Sequence, residues 1–272
     1  MKDIFLEEYS SNQAVLKYSR ATAGSGISYL LEHEYADIYL EALRKHLPET
    51  SRREGARLLE FGCGAGMNIV HMVSLLERSG IPLKEAFGTD FSKTLIDTAS
   101  QEADRDLSPG NRKRVRFLWG RNESLLEDLA AGLNVDESSL EGSFDFIFGV
   151  NTIRYCHRLE KENECAKGIF RLLKKDGVCV VIDMNQKFPV FRSRVRDKLT
   201  MEKKDYYLPS LEEYARPFEL AGFVLKRKET FCWIPHSAGP LMSRVCKAMT
   251  PVLNTLFRPR AMRCLVVAQK PV

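Results

Sequence analysis

Residues 57–67 read Arg-Leu-Leu-Glu-Phe-Gly-Cys-Gly-Ala-Gly-Met. A short apolar run (Leu58, Leu59) meets an acid, Glu60. Glycines then stand at 62, 64 and 66, and a helical pattern follows. Glycine is needed where the backbone takes φ > 0 or where a ligand must approach the main chain. Three at alternate positions after a strand describe a strand–loop–helix turn built around a small molecule. A nicotinamide-type loop wants G-x-G-x-x-G, which would place its third glycine at Met67. A P-loop needs a Gly-Lys-Ser/Thr end, which is absent.

The next acid in this pattern supports the reading. Residues 86–92 read Ala-Phe-Gly-Thr-Asp-Phe-Ser, a short apolar strand ending in Asp90. Ser92 is a candidate N-cap for a helix beginning near Lys93. Asp90 lies 24 residues beyond Gly66. A carboxylate at the end of a second strand suits a ribose diol, because it accepts from both hydroxyls.

The rhythm continues along the chain. Strands are expected at about 56–61, 85–89, 114–119, 144–150 and 178–183. Helices are expected between them, near 66–78, 92–104, 122–131 and 159–174, the last ending in Lys-Lys-Asp-Gly177 as a basic turn with a glycine stop. Alternation of this kind argues a mostly parallel sheet with helices on both faces. A capping-box spacing at Ser210 and Glu213 opens a later helix. Strands at 223–231 and 262–269 flank an amphipathic stretch, 239–257, which Thr250-Pro251 is expected to split.

Composition sets the class. The 272 residues are 44% hydrophobic and 28% charged, as in ordinary globular chains. No apolar run approaches the roughly 18 residues of a membrane span. Met1 to Ser11 carry four charged side chains and no apolar core, so no secretory signal is read and a cytoplasmic location is expected. The seven cysteines form no CxxC pair and the five histidines no HxxxH spacing, so reduced thiols and no metal are expected. A net charge of +5 does not by itself imply nucleic acid. Lys187, Arg192, Arg194, Arg196, Lys198, Lys203 and Lys204 cluster within 187–204, as a solvated face or a mouth for an anionic partner.

The Glu-x-Gly-x-Gly-x-Gly spacing at 60–66 resembles the first motif of class I S-adenosylmethionine-dependent methyltransferases. Phe144-Asp-Phe-Ile-Phe-Gly-Val-Asn-Thr-Ile-Arg-Tyr-Cys-His157 and the apolar strand after Gly177 are similar to later motifs of that superfamily, near its small-molecule branch. The resemblance implies an α/β, Rossmann-like sheet of seven strands, order 3-2-1-4-5-7-6, with strand 7 antiparallel. It also implies S-adenosylmethionine as cofactor and S-adenosylhomocysteine as product. Residues 1–48 would form a helical cap and 49–272 the cofactor-binding domain, with insertions near 184–208 and 233–258 covering the substrate.

On that resemblance Glu60, Gly62, Cys63, Gly64, Gly66, Asn68, Asp90, Phe91, Asn122, Asn151 and Thr152 would surround the cofactor. Asn122 stands where the family often has an acid for the adenine amine. The Asn/Asp-Pro-Pro-Tyr/Phe signature of base amino-methyltransferases is missing, since Asn151 is followed by Thr-Ile-Arg. A small, largely apolar or aromatic acceptor is therefore expected, methylated at oxygen, carbon or nitrogen, with nucleic acid disfavoured and a homo-oligomer allowed. Candidate bases are His157, Tyr155 and His33, with Glu32 and His236 behind them. The alternatives are an RNA or protein methyltransferase docking through 187–204, or a cofactor-binding scaffold without chemistry.

Overall fold

The computed structural model describes residues 25–189, 208–235 and 238–272. The first half of the expected N-terminal lid (1–24), most of the basic 187–204 stretch, and His236 lie outside the described residues. The described part of the N-terminal cap is α1 (Ser25–Tyr29), a π-helical turn (Leu30–Tyr35) and α2 (Ala36–His46), which follow one another without a break. A short α3 (Glu49–Glu54) leads into β1 (Ala56–Phe61).

The chain then alternates through α4 (Met67–Arg78), β2 (Leu83–Asp90), α5 (Lys93–Asp106), α6 (Pro109–Arg112) and β3 (Val115–Trp119). A 3₁₀ turn (Asn122–Ser124), α7 (Leu125–Leu133) and α8 (Glu137–Leu140) precede β4 (Phe144–Val150). Next come α9 (Ile153–Arg158), α10 (Glu162–Leu172) and β5 (Leu173–Met184). The chain closes with α11 (Leu211–Leu220), β6 (Val224–Phe231), α12 (Pro240–Phe257) and β7 (Arg263–Gln269).

The seven strands form one sheet in the order β3-β2-β1-β4-β5-β7-β6. β1 to β5 pair in parallel, and β7 runs antiparallel to both β5 and β6. The expected order and the reversed seventh strand are both present.

Central strands are buried on both faces, so their side chains split by period two between two cores. Leu58, Phe146, Phe148, Val178, Val180, Ile182, Leu265 and Val267 face α4 and the N-terminal helices. Leu59, Phe61, Ile147, Cys179, Val181, Cys264 and Val266 face α7, α10 and α11. Tyr39 lies against Phe146 and Phe148 with ring centroids 6.1 and 5.2 Å away, so α2 is part of the sheet's own core.

Two local expectations are corrected. The helix expected to run to 174 stops at Leu172, because Leu173 turns extended (ψ 140°) and pairs with Phe144. Lys174 to Gly177 form an irregularity within β5, with Asp176 at φ 62°. The cation at this helix end is Lys270, from a hundred residues downstream, whose Nζ donates to the carbonyls of Phe170 and Leu173 at 2.8 Å. Lys174 instead reaches the buried Asp145, 2.7 Å away. The second correction is α12, which runs unbroken through Pro251. The ring removes one backbone donor, and solvent can reach the carbonyl left behind because this part of the helix is exposed.

Candidate active site

The carboxyl ends of β1, β2, β3 and β4 converge on the glycine loop, the usual place for a ligand in an open α/β sheet. Gly62, Gly64 and Gly66 all hold left-handed backbone, with φ of 63, 54 and 79°. Gly62 is where three loops meet. A Cβ there would lie 2.4 Å from Thr152 Cγ2, after β4, and 3.3 Å from Asn122 Nδ2, after β3. The sequence-expected Gly62, Asn122 and Thr152 are therefore neighbours in space. The loop is tied down by the Cys63 N–H donating to the Thr89 carbonyl at 2.8 Å and the Gly66 N–H to the Cys63 carbonyl at 2.9 Å.

Cys63 turns its sulfur under the sheet, 2.9 Å from where a Cβ on Gly88 would stand. Burial pushes its thiol well above the ordinary range, as for a packing residue rather than a nucleophile.

Two carboxylates give the site its charge. Glu60 is fully buried, and neither oxygen closes a hydrogen bond of normal geometry. Burial raises its pKa well above the usual carboxylate range. The Asn68 side chain and the Ile69 backbone N–H stand close enough to favour the ion, and Asp90 opposes it. An orphaned buried acid beside a glycine loop fits an ammonium group arriving with the ligand.

Asp90 is 5% exposed and accepts the Gly64 N–H on one oxygen and the Ser92 N–H on the other, each at 2.9 Å. Burial raises its pKa from 3.8 to about 6, and those two N–H groups pull it back. An ionised carboxylate has about four acceptor positions, so room remains for a diol. Ser92 caps α5 through the Leu95 N–H, as expected. Phe91 and Tyr155 pack against Ala65 and Leu95, which closes the crevice with two rings. Phe91 also accepts, on its carbonyl, the Trp119 indole N–H at 2.8 Å. These features fit the expected amino acid and nucleoside halves of the cofactor.

Of the described candidate bases, Tyr155 alone packs beside the glycine loop, against Ala65. His157 sits behind it, its ring edge-on to Tyr214 at 5.7 Å and its Nδ1 4.0 Å from Glu162. Burial lowers its pKa, and Glu162 works against that. His33 is exposed and tilted over Tyr29 at 4.6 Å, and Glu32 is exposed too.

A buried polar cluster that sequence reading missed lies at the ends of β4, β5 and β7. Asn151 adopts φ 58°, and its Oδ1 accepts from Nη1 of Arg263 at 2.7 Å. Arg263 is 1% exposed. Asp183 is fully buried, and burial raises its pKa. Arg154, 3.8 Å away, and the N–H groups of Met184 and Arg154 favour its ionised form. Arg154 in turn donates to the Tyr155 hydroxyl at 3.1 Å. An acid closing the apolar run Val-Cys-Val-Val-Ile-Asp183 was a signal of the same kind as Asp90. The Arg263–Asn151 pair, 112 positions apart, left none.

Among the described residues no cluster of His, Cys, Asp and Glu is placed to hold a metal, and no helix is long and apolar enough to cross a membrane.

Comparison with known proteins agrees with this geometry. The citrinin polyketide synthase of Monascus ruber is 28% identical over 156 residues, 57% of this chain but 5% of that synthase. The solved C-methyltransferase domain of the citrinin polyketide synthase superposes with a TM-score of 0.60 at 19% identity, over 97% of this chain and 58% of that one. Geranyl diphosphate C-methyltransferase from Streptomyces coelicolor A3(2), solved with Mg2+, geranyl diphosphate and S-adenosylhomocysteine, gives 0.56 at 17%, over 90% and 82%. A methyltransferase-domain family model matches residues 52–222. By that match and this sheet order, the chain belongs to the methyltransferase-domain family of class I, S-adenosylmethionine-dependent enzymes.

Proposed function

We propose that the protein methylates a small, largely apolar or aromatic acceptor at the crevice above the glycine loop. The observation that carries this reading is Gly62, wedged between Asn122 and Thr152 beside the orphaned carboxylate of Glu60. When bound, S-adenosylmethionine supplies a methyl group already activated on a sulfonium. The protein's task is then to bind, orient and exclude water. Orientation of this kind contributes about 7–11 kcal/mol.

Glu60 receives the amino group, and the bare backbone of 62–66 admits the amino acid chain. Asp90 accepts from the ribose hydroxyls. Phe91 flanks the adenine, and Asn122 accepts from its amine. Asn151, Thr152 and Tyr155 face the acceptor, with Arg154 holding the Tyr155 hydroxyl. The rings of Phe91 and Tyr155 beside the glycine loop favour an apolar acceptor region. The relatives named above, a polyketide synthase and a geranyl diphosphate C-methyltransferase, support a small carbon-based acceptor.

The test has two stages. Calorimetry with S-adenosylhomocysteine should show one site, abolished in Glu60→Gln with Asp90→Asn. Methyl-labelled cofactor should then label a panel of β-ketothioesters, phenols and amines at a rate insensitive to salt. No binding would end the reading. Label appearing only in RNA, with a steep salt dependence, would replace it with phosphate docking.

A further inference from the structure

The helix α12 is an anomaly of packing. Over its 18 residues it buries only Ser243. Leu241 is 75% exposed and Leu256 64%, and Met242, Val245, Met249 and Val252 are each about half exposed. At about 100° per residue these six side chains fall within an arc of about 100°. Ser243, Cys246, Thr250 and Leu253, which are buried or half-buried, lie on a different arc, toward α1. A helix of this length with an internal proline is marginal alone in water. Among the described residues nothing covers its apolar stripe, and a contiguous patch of this kind marks a contact surface.

Charge selects the occupant. No Asp or Glu occurs anywhere after Glu229, through Val272. Arg244 lies beside the stripe and Arg260 beyond its end, both exposed, whereas Lys247 is on the far side of the helix with its Nζ 5.4 Å from the Tyr29 ring centroid. Arg258 is engaged by Glu229. Two copies meeting stripe to stripe would bring these cations together. An anionic bilayer surface matches both features, with the stripe at the acyl boundary and the cations among the headgroups. We propose that α12 seats the protein on a membrane surface carrying anionic lipids, lying in its plane.

The experiment is flotation of the full chain with phosphatidylcholine vesicles, with and without about 30% phosphatidylglycerol. The expected result is partition onto the anionic vesicles at least about tenfold above the neutral ones, lost in Val245→Glu with Met249→Glu. Arg244→Glu with Arg260→Glu should abolish the preference for anionic lipid. Unchanged binding of S-adenosylhomocysteine and an unchanged circular dichroism spectrum show that each variant is folded. Should the double variant unfold, Leu241→Glu alone repeats the test in the first turn, at the most exposed position of the stripe. Wild-type protein that binds neither vesicle overturns the proposal. So does a dimer that the glutamate variants dissolve without any vesicle binding, which would assign the stripe to a second copy.

Discussion

The ionisation of Asp90 is the most direct handle on the site. Its folded pKa, about 6, lies above the unfolded 3.8 because it is buried. Its favourable share of stability is therefore fully present below pH 3.8 and lost as the pH rises through about 6, a difference of about 3 kcal/mol. Ribose hydroxyls donate to the carboxylate, so ligand binding favours the ion and should release a proton. The ionised fraction is about one tenth at pH 5 and about nine tenths at pH 7. Affinity for S-adenosylhomocysteine should thus rise about tenfold between those values. Glu60 titrates in the same region of the structure, so the variant Asp90→Asn assigns the slope. Asparagine keeps the size, cannot ionise, and has one acceptor oxygen for two N–H groups. At pH 7 it should lose about 1.5–3 kcal/mol of binding, roughly 10- to 150-fold in Kd, and its affinity should barely vary with pH. Calorimetry at both pH values, in buffers of different ionisation enthalpy, reads affinity and proton release together. Equal wild-type affinity at pH 5 and 7, or an unaltered slope in the asparagine variant, would refute ribose binding by this residue.

Further predictions follow from single contacts. Gly62→Ala combines a left-handed φ with a Cβ 2.4 Å from Thr152 Cγ2, so it should lower thermal stability by at least about 1–2 kcal/mol, and adding Thr152→Ser should recover part of the loss. Arg263→Met leaves the Asn151 side-chain oxygen without its charged donor, and urea denaturation should show a loss of about 1.5–3 kcal/mol. Six of the seven cysteines are buried and Cys246 is half-exposed, so a thiol reagent should modify Cys246 first and the others only on unfolding.

Local physics makes much of this fold legible in the sequence. Glycines at 62, 64 and 66 sit where left-handed backbone is compulsory, and Asp90 and Ser92 end a strand and start a helix within three positions. Apolar runs buried on both faces announced β1, β4 and β5. Helix ends carry weaker local signals. A lysine pair and a glycine at 174–177 imitate a helix stop, but the cation that serves α10 comes from Lys270. Nothing local distinguishes the two.

The chain by itself determined the glycine cradle, the acid at the end of β2, the alternation of strands and helices, and the capping box of α11. Tertiary structure alone decided that Glu60 is fully buried with no hydrogen bond of normal geometry, that Tyr155 packs beside the glycine loop while His33 is exposed, and that Arg263 anchors Asn151. It also decided that the stripe of α12 faces outward. The first set depends on backbone conformation and periodicity, which neighbours in sequence impose. The second depends on which surfaces meet after the sheet has closed, and on the burial that then sets the energy of each charge.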